Sequence, residues 1–530
     1  MRNAHRVADV RTAEQALMAK VPDGALMLRA AAGLAATCAS LLDRVYGARV
    51  VVLAGSGDNG GDALYGGARL ASRGASVIAI AAGSRLHEAA AADLLARGGR
   101  VVAATSQAEG ASDAGVGEAV AGGGEVGGHG EPADVRISAA ARSAIGAADL
   151  IIDGLTGIGG HGGLREPAAA LARITEDARR DGALVIAVDL PSGIDADTGE
   201  VHGAAIHADV TVTFGTIKPG LLIDPGADRA SPVELIDIGL GPYLLEPVVI
   251  SLQAADVAAM LPHPSAESDK YRRGVLGLVA GSEQYTGAAV LSAGGAIKGG
   301  AGMVRLVSAA PAIGVARQHW PEAVVTTYDP DRPDQAIEQA GRVQAWAVGP
   351  GIGTGETALA LLAAVLASDV PVLVDADGIT VLAEHRDLLT RQGPTLITPH
   401  AGELARLLNA DRSDIEARRL YYARAAAAEL GITVLLKGST TVIAEPDASR
   451  PVRVNATGSS WLATAGSGDV LSGLAGSLLA QGLPPPDAAA AGAYLHGMAG
   501  RLAARGAPIG ASDLIGAIPA AIRAVTSNDD

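Results

Sequence analysis

The sequence predicts an α/β fold in two successive parts, the first a doubly wound parallel sheet and the second a further alternation of strands and helices. Three observations predict it. Short apolar runs alternate with segments of helical periodicity along the chain. The runs are continuous rather than alternating, as strands buried on both faces require. At 530 residues the chain is too long for a single core. Hydrophobic residues make up 49% of the chain and aromatics 2%, so Ala, Val, Leu and Ile must build that core.

In order, residues 11–42 read as two helices broken at Pro22-Asp23-Gly24. RVVVLA, 49–54, is a buried strand that runs into GSGDNGGD, 55–62, and then a helix, 63–72. Further strands are expected at 77–82, 150–153, 184–189 and 210–214. Between 105 and 136 the texture turns glycine-rich and acidic without periodicity, which reads as a flexible insertion. A composition shift at Gly239-Leu240-Gly241-Pro242, with Pro247, Pro262 and Pro264 beyond it, divides the chain into domains 1–242 and 250–530. After a short helix around 254–261, strands are expected at 275–280, 303–308, 345–348, 372–375, 395–397 and 433–436. The series ends with the loop and helix of 455–479 and a helix at 488–504, and no sequence repeat links the two parts.

The net charge is −16 with no long basic run, which argues against a nucleic-acid or anionic-membrane partner. Small anions held by backbone groups stay open. The single cysteine, Cys38, reads as a small core residue and fits a reducing cytoplasm. The start lacks an apolar stretch, so no signal peptide is expected, and no unbroken apolar run reaches membrane length.

The stretch NATGSSWLATAGSGDVLSGLAGSLL, 455–479, carries the strongest chemistry. Gly466, Ser467 and Gly468 let backbone N–H groups approach an anion, and the helix behind them aims its positive end at it. Asp469 at the rim can take a hydroxyl proton, the one acid–base task that phosphoryl transfer sets. In the first part, Gly55, Gly57 and Gly60 formally match a dinucleotide fingerprint, but the next strand offers no acidic residue for a ribose. A Walker A loop is excluded because no Lys-Ser/Thr follows. The stretch remains an anion cradle into which Asp58, Asn59 and Asp62 project, and Asn59 can offer oxygen to a hard monovalent cation. Asp153, Asp189 with Ser192, and Lys218 follow other strands and can converge on the same rim. In the second part, Tyr285-Thr286-Gly287, the glycines of 349–353, Asp375, Asp377, Thr398, His400, Glu403 and Lys437-Gly438-Ser439 stand at strand ends or turns. On these residues alone a kinase of a small hydroxylated metabolite, with an N-terminal nucleotide-binding module, stays open.

These motifs resemble the bifunctional NAD(P)H-hydrate repair enzymes, an N-terminal hydrate epimerase fused to a C-terminal ADP-dependent dehydratase. GSGDNGGD, DGLTGIG and VDLPSGID carry the first part of the resemblance; KYRRG, YTGAA, GPGIG, VDADGI, TPHAGE, LLKGSTTVI and GSGDVLSG carry the second. The resemblance implies a Rossmann-like first domain and a ribokinase-like second one. It implies that Asp58, Asn59, Gly60, Gly61, Asp62, Gly157, Ile158, Gly159, Gly160, His161, Gly162 and Gly163 hold the hydrate, with Asp189 handling the proton. Asn59, Asp153 and Ser192 would bind K⁺. In the second domain Lys437, Gly438, Ser439, Thr440, Thr441 and Gly468 would hold the nucleotide, while Ala288, Gly351, His400 and Asp469 face the hydrate. ADP would be the phosphoryl donor, accompanied by Mg²⁺, and the chain is expected to form a homo-oligomer. The chain departs from the family's usual pattern at Asp58, Ala63 and Ser460-Trp461, where Asn, Gly and a Pro-Gly pair are common.

Overall fold

The computed structural model describes residues 1–105, 136–160, 162–230, 232–265, 267 and 269–527. The expected insertion between Thr105 and Arg136, and His161, lie outside the described residues. The strands of the first half are β2 (Arg49–Ala54), β3 (Ser76–Ala81), β4 (Arg100–Ala103), β5 (Leu150–Gly154), β6 (Leu184–Val188), β7 (Val210–Phe214) and β8 (Val233–Ile236). They form one parallel sheet in the order β4-β3-β2-β5-β6-β7-β8. The order reverses between β2 and β5, so a crevice opens beyond their C-terminal ends. Pairing of Leu53 with Asp153 and of Asp153 with Ala187 brings the three loops after β2, β5 and β6 together there.

The second sheet has eleven strands. β1 (Arg2–Ala4) and β9 (Val249–Ser251) precede β10 (Val275–Val279), β11 (Met303–Ser308), β12 (Val324–Thr327), β13 (Ala345–Val348), β14 (Val372–Val374), β15 (Thr395–Ile397), β16 (Thr433–Leu436), β17 (Thr441–Ala444) and β18 (Val452–Asn455). Their order is β1-β9-β18-β17-β16-β15-β14-β13-β10-β11-β12, parallel from β12 to β16 and antiparallel at β17. The reversal here lies between β10 and β13.

The two halves are stitched together. β1, at the start of the chain, pairs antiparallel with β9 in the second sheet, and His5 N–H then donates to the Ile217 carbonyl of the first half (3.0 Å). One buried apolar cluster runs from Leu190, Ile194 and Ile223 into Val434, Val442 and Val454. No helix among the described residues is long and apolar enough to cross a membrane.

Every strand expected from the sequence is present within a residue of its expected ends. The reading missed β1, β4, β8, β9, β12, β17 and β18, each of three or four residues and too short to show a period. It also missed the last helix, Ala511–Thr526. One boundary is corrected: the helix expected at 63 begins at Asp58, inside the glycine-rich stretch. Propensity places glycines in loops, but here they permit close packing. A β-carbon on Gly60 would collide with the Gly55 carbonyl, and one on Gly154 with Ala63.

Candidate active sites

The first site fills the crevice between β2 and β5. A cleft of about 730 Å³ is lined by Glu14, Asp58, Asn59, Asp62, Thr156, Gly157, Ile158, Gly159, Gly160, Asp189 and Lys218. Beneath it, Asp153 at the end of β5 is fully buried. Its Oδ1 accepts the Ser192 hydroxyl (2.7 Å) and the Leu155 N–H (3.2 Å), and its Oδ2 accepts the Ser192 N–H (2.8 Å). The Thr156 carbonyl lies 3.2 Å from Ser192 Oγ and accepts from the Asn59 side-chain amide (3.0 Å). Asn59, Asp153 and Ser192 are therefore brought together, with a backbone oxygen the sequence did not advertise between them. Burial pushes the Asp153 carboxyl up to about 6 despite these hydrogen bonds.

Asp189 follows β6 with φ of 67°, a left-handed backbone that non-glycine residues adopt at some cost. That turn aims its carboxylate at Lys218, whose Nζ donates at 2.5 Å; Thr213 Oγ1 donates at 3.0 Å. Lys218 is 1% exposed, so the pair is shielded from water. The Asp62 Oδ1 is buried with no hydrogen-bond partner among the described residues. Burial, then the charges of Asp189, Asp58 and Glu14, push Asp62 well above the usual carboxylate range. Glu14 is raised as well, chiefly by burial and against the pull of Lys218. Gly162 and Gly163 line a neighbouring cleft of about 440 Å³ that shares Ser56, Leu155, Thr156 and Gly160 with the first. Gly60 and Gly61 stand apart from both and serve packing, Gly61 against His87 and Met27. Glu14 was missed because nothing in a polar helical position marks it; the helix Val7–Met18 carries it over the crevice.

The second site gathers at the C-terminal ends of β13 to β16 and the start of the helix Ser467–Ala480. This helix lies close against Thr286–Lys298, since β-carbons on Gly295 or Gly473 would strike the opposing backbone. Gly466, with φ of 84°, turns the chain into it. Asp375 after β14 accepts from Lys437 Nζ (2.6 Å) and from the Ser472 hydroxyl. Glu403 Oε2 lies 3.8 Å from the same ammonium. Burial would lower the Lys437 ammonium, but Asp375, Glu403 and Asp469 together hold it above its usual range. The Asp469 carboxyl is pushed up to about 7, first by burial and then by Asp375; Asp377 and Glu403 add to the rise and Lys437 opposes it. An added β-carbon on Gly468 would lie 3.5 Å from Lys437 Nζ and 3.9 Å from Asp375 Oδ2, so the helix opens beside the ion pair.

Other expected residues have structural duties as well. His400 Nδ1 accepts the N–H groups of Gly402 (2.9 Å) and Glu403 (3.2 Å), capping the helix Ala401–Leu408. Its side chain is still 54% exposed, with Nε2 3.5 Å from Glu403 Oε1. Gly351, with φ of 63°, packs on Ala288 and Tyr285, so the YTG turn closes over the GPGIG loop. Ser439 and Thr440 hydrogen-bond to Asp224 of the first half, and Thr441 is buried at the start of β17. His496 was missed. Buried in an alanine-rich helix and pushed down to about 4 by that burial, it pairs Nε2 with the Ser467 carbonyl at 2.9 Å. Thr398, just after β15, has a buried hydroxyl without a partner among the described residues.

The NAD(P)H-hydrate dehydratase family model matches residues 276–519, and that of the YjeF-related protein N-terminus matches residues 23–220. The chain is 45% identical over 497 residues to the bifunctional NAD(P)H-hydrate repair enzyme Nnr of Mycobacterium tuberculosis, covering 92% of each chain. It is 44% identical to the enzyme of the same name from Mycobacterium leprae, covering 92% of this chain and 91% of that one. Among solved structures, the ADP/ATP-dependent NAD(P)H-hydrate dehydratase of Bacillus subtilis, co-crystallised with ATP/Mg²⁺, is 30% identical; the match covers 52% of this chain and 99% of that one with a TM-score of 0.47. With both family models in tandem and relatives aligned over almost the whole length, the chain belongs to the family of bifunctional NAD(P)H-hydrate repair enzymes.

Proposed function

We propose that the chain restores hydrated NADH and NADPH at two sites, epimerising the R and S hydrates in residues 1–242 and dehydrating the S form in residues 250–530. The observation that carries the reading is Asp469, a carboxyl near 7 at the opening of a helix and beside the Lys437–Asp375 pair. A base poised there takes the proton of the ring hydroxyl as the phosphoryl group arrives. The amides at the helix start and the Lys437 ammonium stabilise the charge that develops. Loss of phosphate together with a proton from the adjacent ring carbon then restores the double bond of the dihydronicotinamide.

The nucleotide would lie along residues 437–441 and Gly468, with ADP as the preferred donor. No group of three or more His, Cys, Asp or Glu suited to a metal occurs among the described residues, so the fit is to Mg²⁺ brought by the phosphates. In the first site the donors around Asp153 are hard oxygens: its carboxylate, the Ser192 hydroxyl, the Asn59 amide and the Thr156 carbonyl. A fully buried carboxylate with no ion pair among the described residues suits K⁺. Bound there, K⁺ would neutralise the floor of the cleft.

Inverting the hydroxyl-bearing carbon requires a bond to it to break and re-form on the opposite face: removal of the hydroxyl proton opens its bond to the ring nitrogen, which takes up a proton, and both transfers reverse on closure. Asp189, ion-paired with Lys218, is the acceptor in this reading, and the raised carboxyls of Asp62 and Glu14 are the donors. The lone buried cysteine, Cys38, fits action in the cytoplasm. A coupled assay tests the whole: NADH absorbance returns from its hydrate with ADP and Mg²⁺, and both epimers are consumed. Accumulation of a stable phosphorylated product instead would make the chain a metabolite kinase.

A further inference from the structure

We propose that Asp224, carried by the first half, is a positioning residue for the nucleotide loop of the second half, so that nucleotide affinity depends on contact between the halves. The inference rests on the nucleotide reading of residues 437–441. Lys437 follows β16 and Thr441 opens β17, and the two strands pair antiparallel through Leu436 and Val442. Residues 438–440 are thus a tight turn at the rim of the site. One residue of the other half engages both of its hydroxyls: Ser439 Oγ donates to Asp224 Oδ2, and Thr440 Oγ1 accepts the Asp224 N–H at 3.0 Å. The second carboxylate oxygen of Asp224 accepts the Asp228 N–H at 3.0 Å, which fixes the carboxylate.

The turn is held from a second direction. Arg419 Nη2 donates to the Lys437 carbonyl at 2.7 Å, and it passes so close to Gly438 that a β-carbon there would collide with it. The preceding residue, Arg418, pairs with Glu200 of the first half at 3.3 Å. Glu200 and Asp224 belong to one compact piece, closed by the hydrogen bonds of Gly226 N–H to the Gly199 carbonyl (2.9 Å) and of Gly220 N–H to the Ala196 carbonyl (2.8 Å). With Ser439 and Thr440 committed to Asp224, the turn meets a nucleotide with its amides and Lys437. Their alignment is then set by the first half, and pre-alignment of donors is what affinity for phosphates requires.

The test uses the full chain and steady-state kinetics of both reactions, with ADP and Mg²⁺ for dehydration. Asp224→Ala is expected to raise the KM for ADP about fivefold, since it removes the bond from the Ser439 hydroxyl to the carboxylate but leaves the backbone N–H that Thr440 accepts. Its dehydration kcat and its epimerisation rate should stay within about twofold of wild type. Asp224→Asn keeps an oxygen for the Ser439 hydroxyl and should restore the wild-type KM. The double variant Asp224→Ala/Ser439→Ala should be no weaker than Ser439→Ala alone. Lys437→Ala, which removes the ammonium of the same site, provides the control. If Lys437→Ala raises the KM and Asp224→Ala does not, the proposal is wrong while the nucleotide site stands. If neither changes it, the nucleotide reading of the loop fails, and the proposal with it. Equal losses in both reactions for Asp224→Ala, or a KM below wild type for Asp224→Asn, would also overturn it.

Discussion

The two sites use the same device with opposite emphasis. Each sets a lysine against an aspartate at the rim of its sheet, Lys218 with Asp189 and Lys437 with Asp375. Each then holds further carboxyls near that pair and raises them by burial: Asp62 and Glu14 in the first, Asp469 in the second. In the first half the ion-paired aspartate lines the open cleft. In the second it lies beneath, fastened also by Ser472, and Asp469, with no ion pair among the described residues, takes the rim. The difference lies in which member lines the rim: the ion-paired aspartate in the first half, the raised carboxyl of Asp469 in the second.

The largest effect expected from breaking this comparison is at Asp469. Asp469→Asn should lower dehydration by about 10²–10⁴-fold while ADP binding by calorimetry stays near wild type. Wild-type turnover in that variant would move the base elsewhere. Next, Lys218→Met strands Asp189 as an unpaired carboxylate in a shielded position. Loss of epimerisation and of roughly 3–5 kcal/mol of stability is expected, read by denaturant unfolding. Dehydration of purified S hydrate by the folded protein should survive, and an unchanged unfolding midpoint would show that the pair contributes little.

A pH series sharpens the contrast further. Dehydration kcat/KM should rise with pH through about 7 as Asp469 ionises. Epimerisation should instead fall as rising pH strips the protons that the raised carboxyls of Asp62 and Glu14 hold. Because the folded chain raises Asp469 above its unfolded value, the stability linked to it is present in acid and is lost as pH rises toward and through about 7. Asp469→Asn should flatten that part of the melting profile, and an identical slope in both proteins would refute the linkage. The smallest expected effect is at Asp58, which stands one helical turn before Asp62. Asp58→Asn removes a negative charge from the wall of the cleft and should tighten binding of the phosphate-bearing hydrate about twofold. No change in the epimerase KM would show that solvent already screens Asp58.

Much of this was legible in the chain because the strands are continuous apolar runs and the chemistry follows them directly. RVVVLA before GSGDNGGD and VLV before Asp375 announce both a strand and the loop beyond its C-terminal end. Glycines misled where they serve packing rather than turning: Gly60 and Gly61 lie in a helix, where a β-carbon on Gly60 would collide with the Gly55 carbonyl. His400 was legible as a site residue, but its capping of the helix Ala401–Leu408 depends on where Glu403 falls one turn later. Glu14 and His496 carried no signal, since each occupies an ordinary helical position and meets its site only through packing.

What the sequence determined by itself is therefore local: which runs become strands, which loops carry carboxylates and glycines, and that two α/β units follow one another. Backbone geometry and apolar periodicity act over a few residues and can be read from a few residues. The tertiary structure decided which aspartate pairs with a lysine, which carboxyl is left to titrate, and that Asp224 of one half grips the turn at 439–440 of the other. Burial and charge proximity set those outcomes, and both depend on residues up to 216 positions apart that meet only when the sheets have formed.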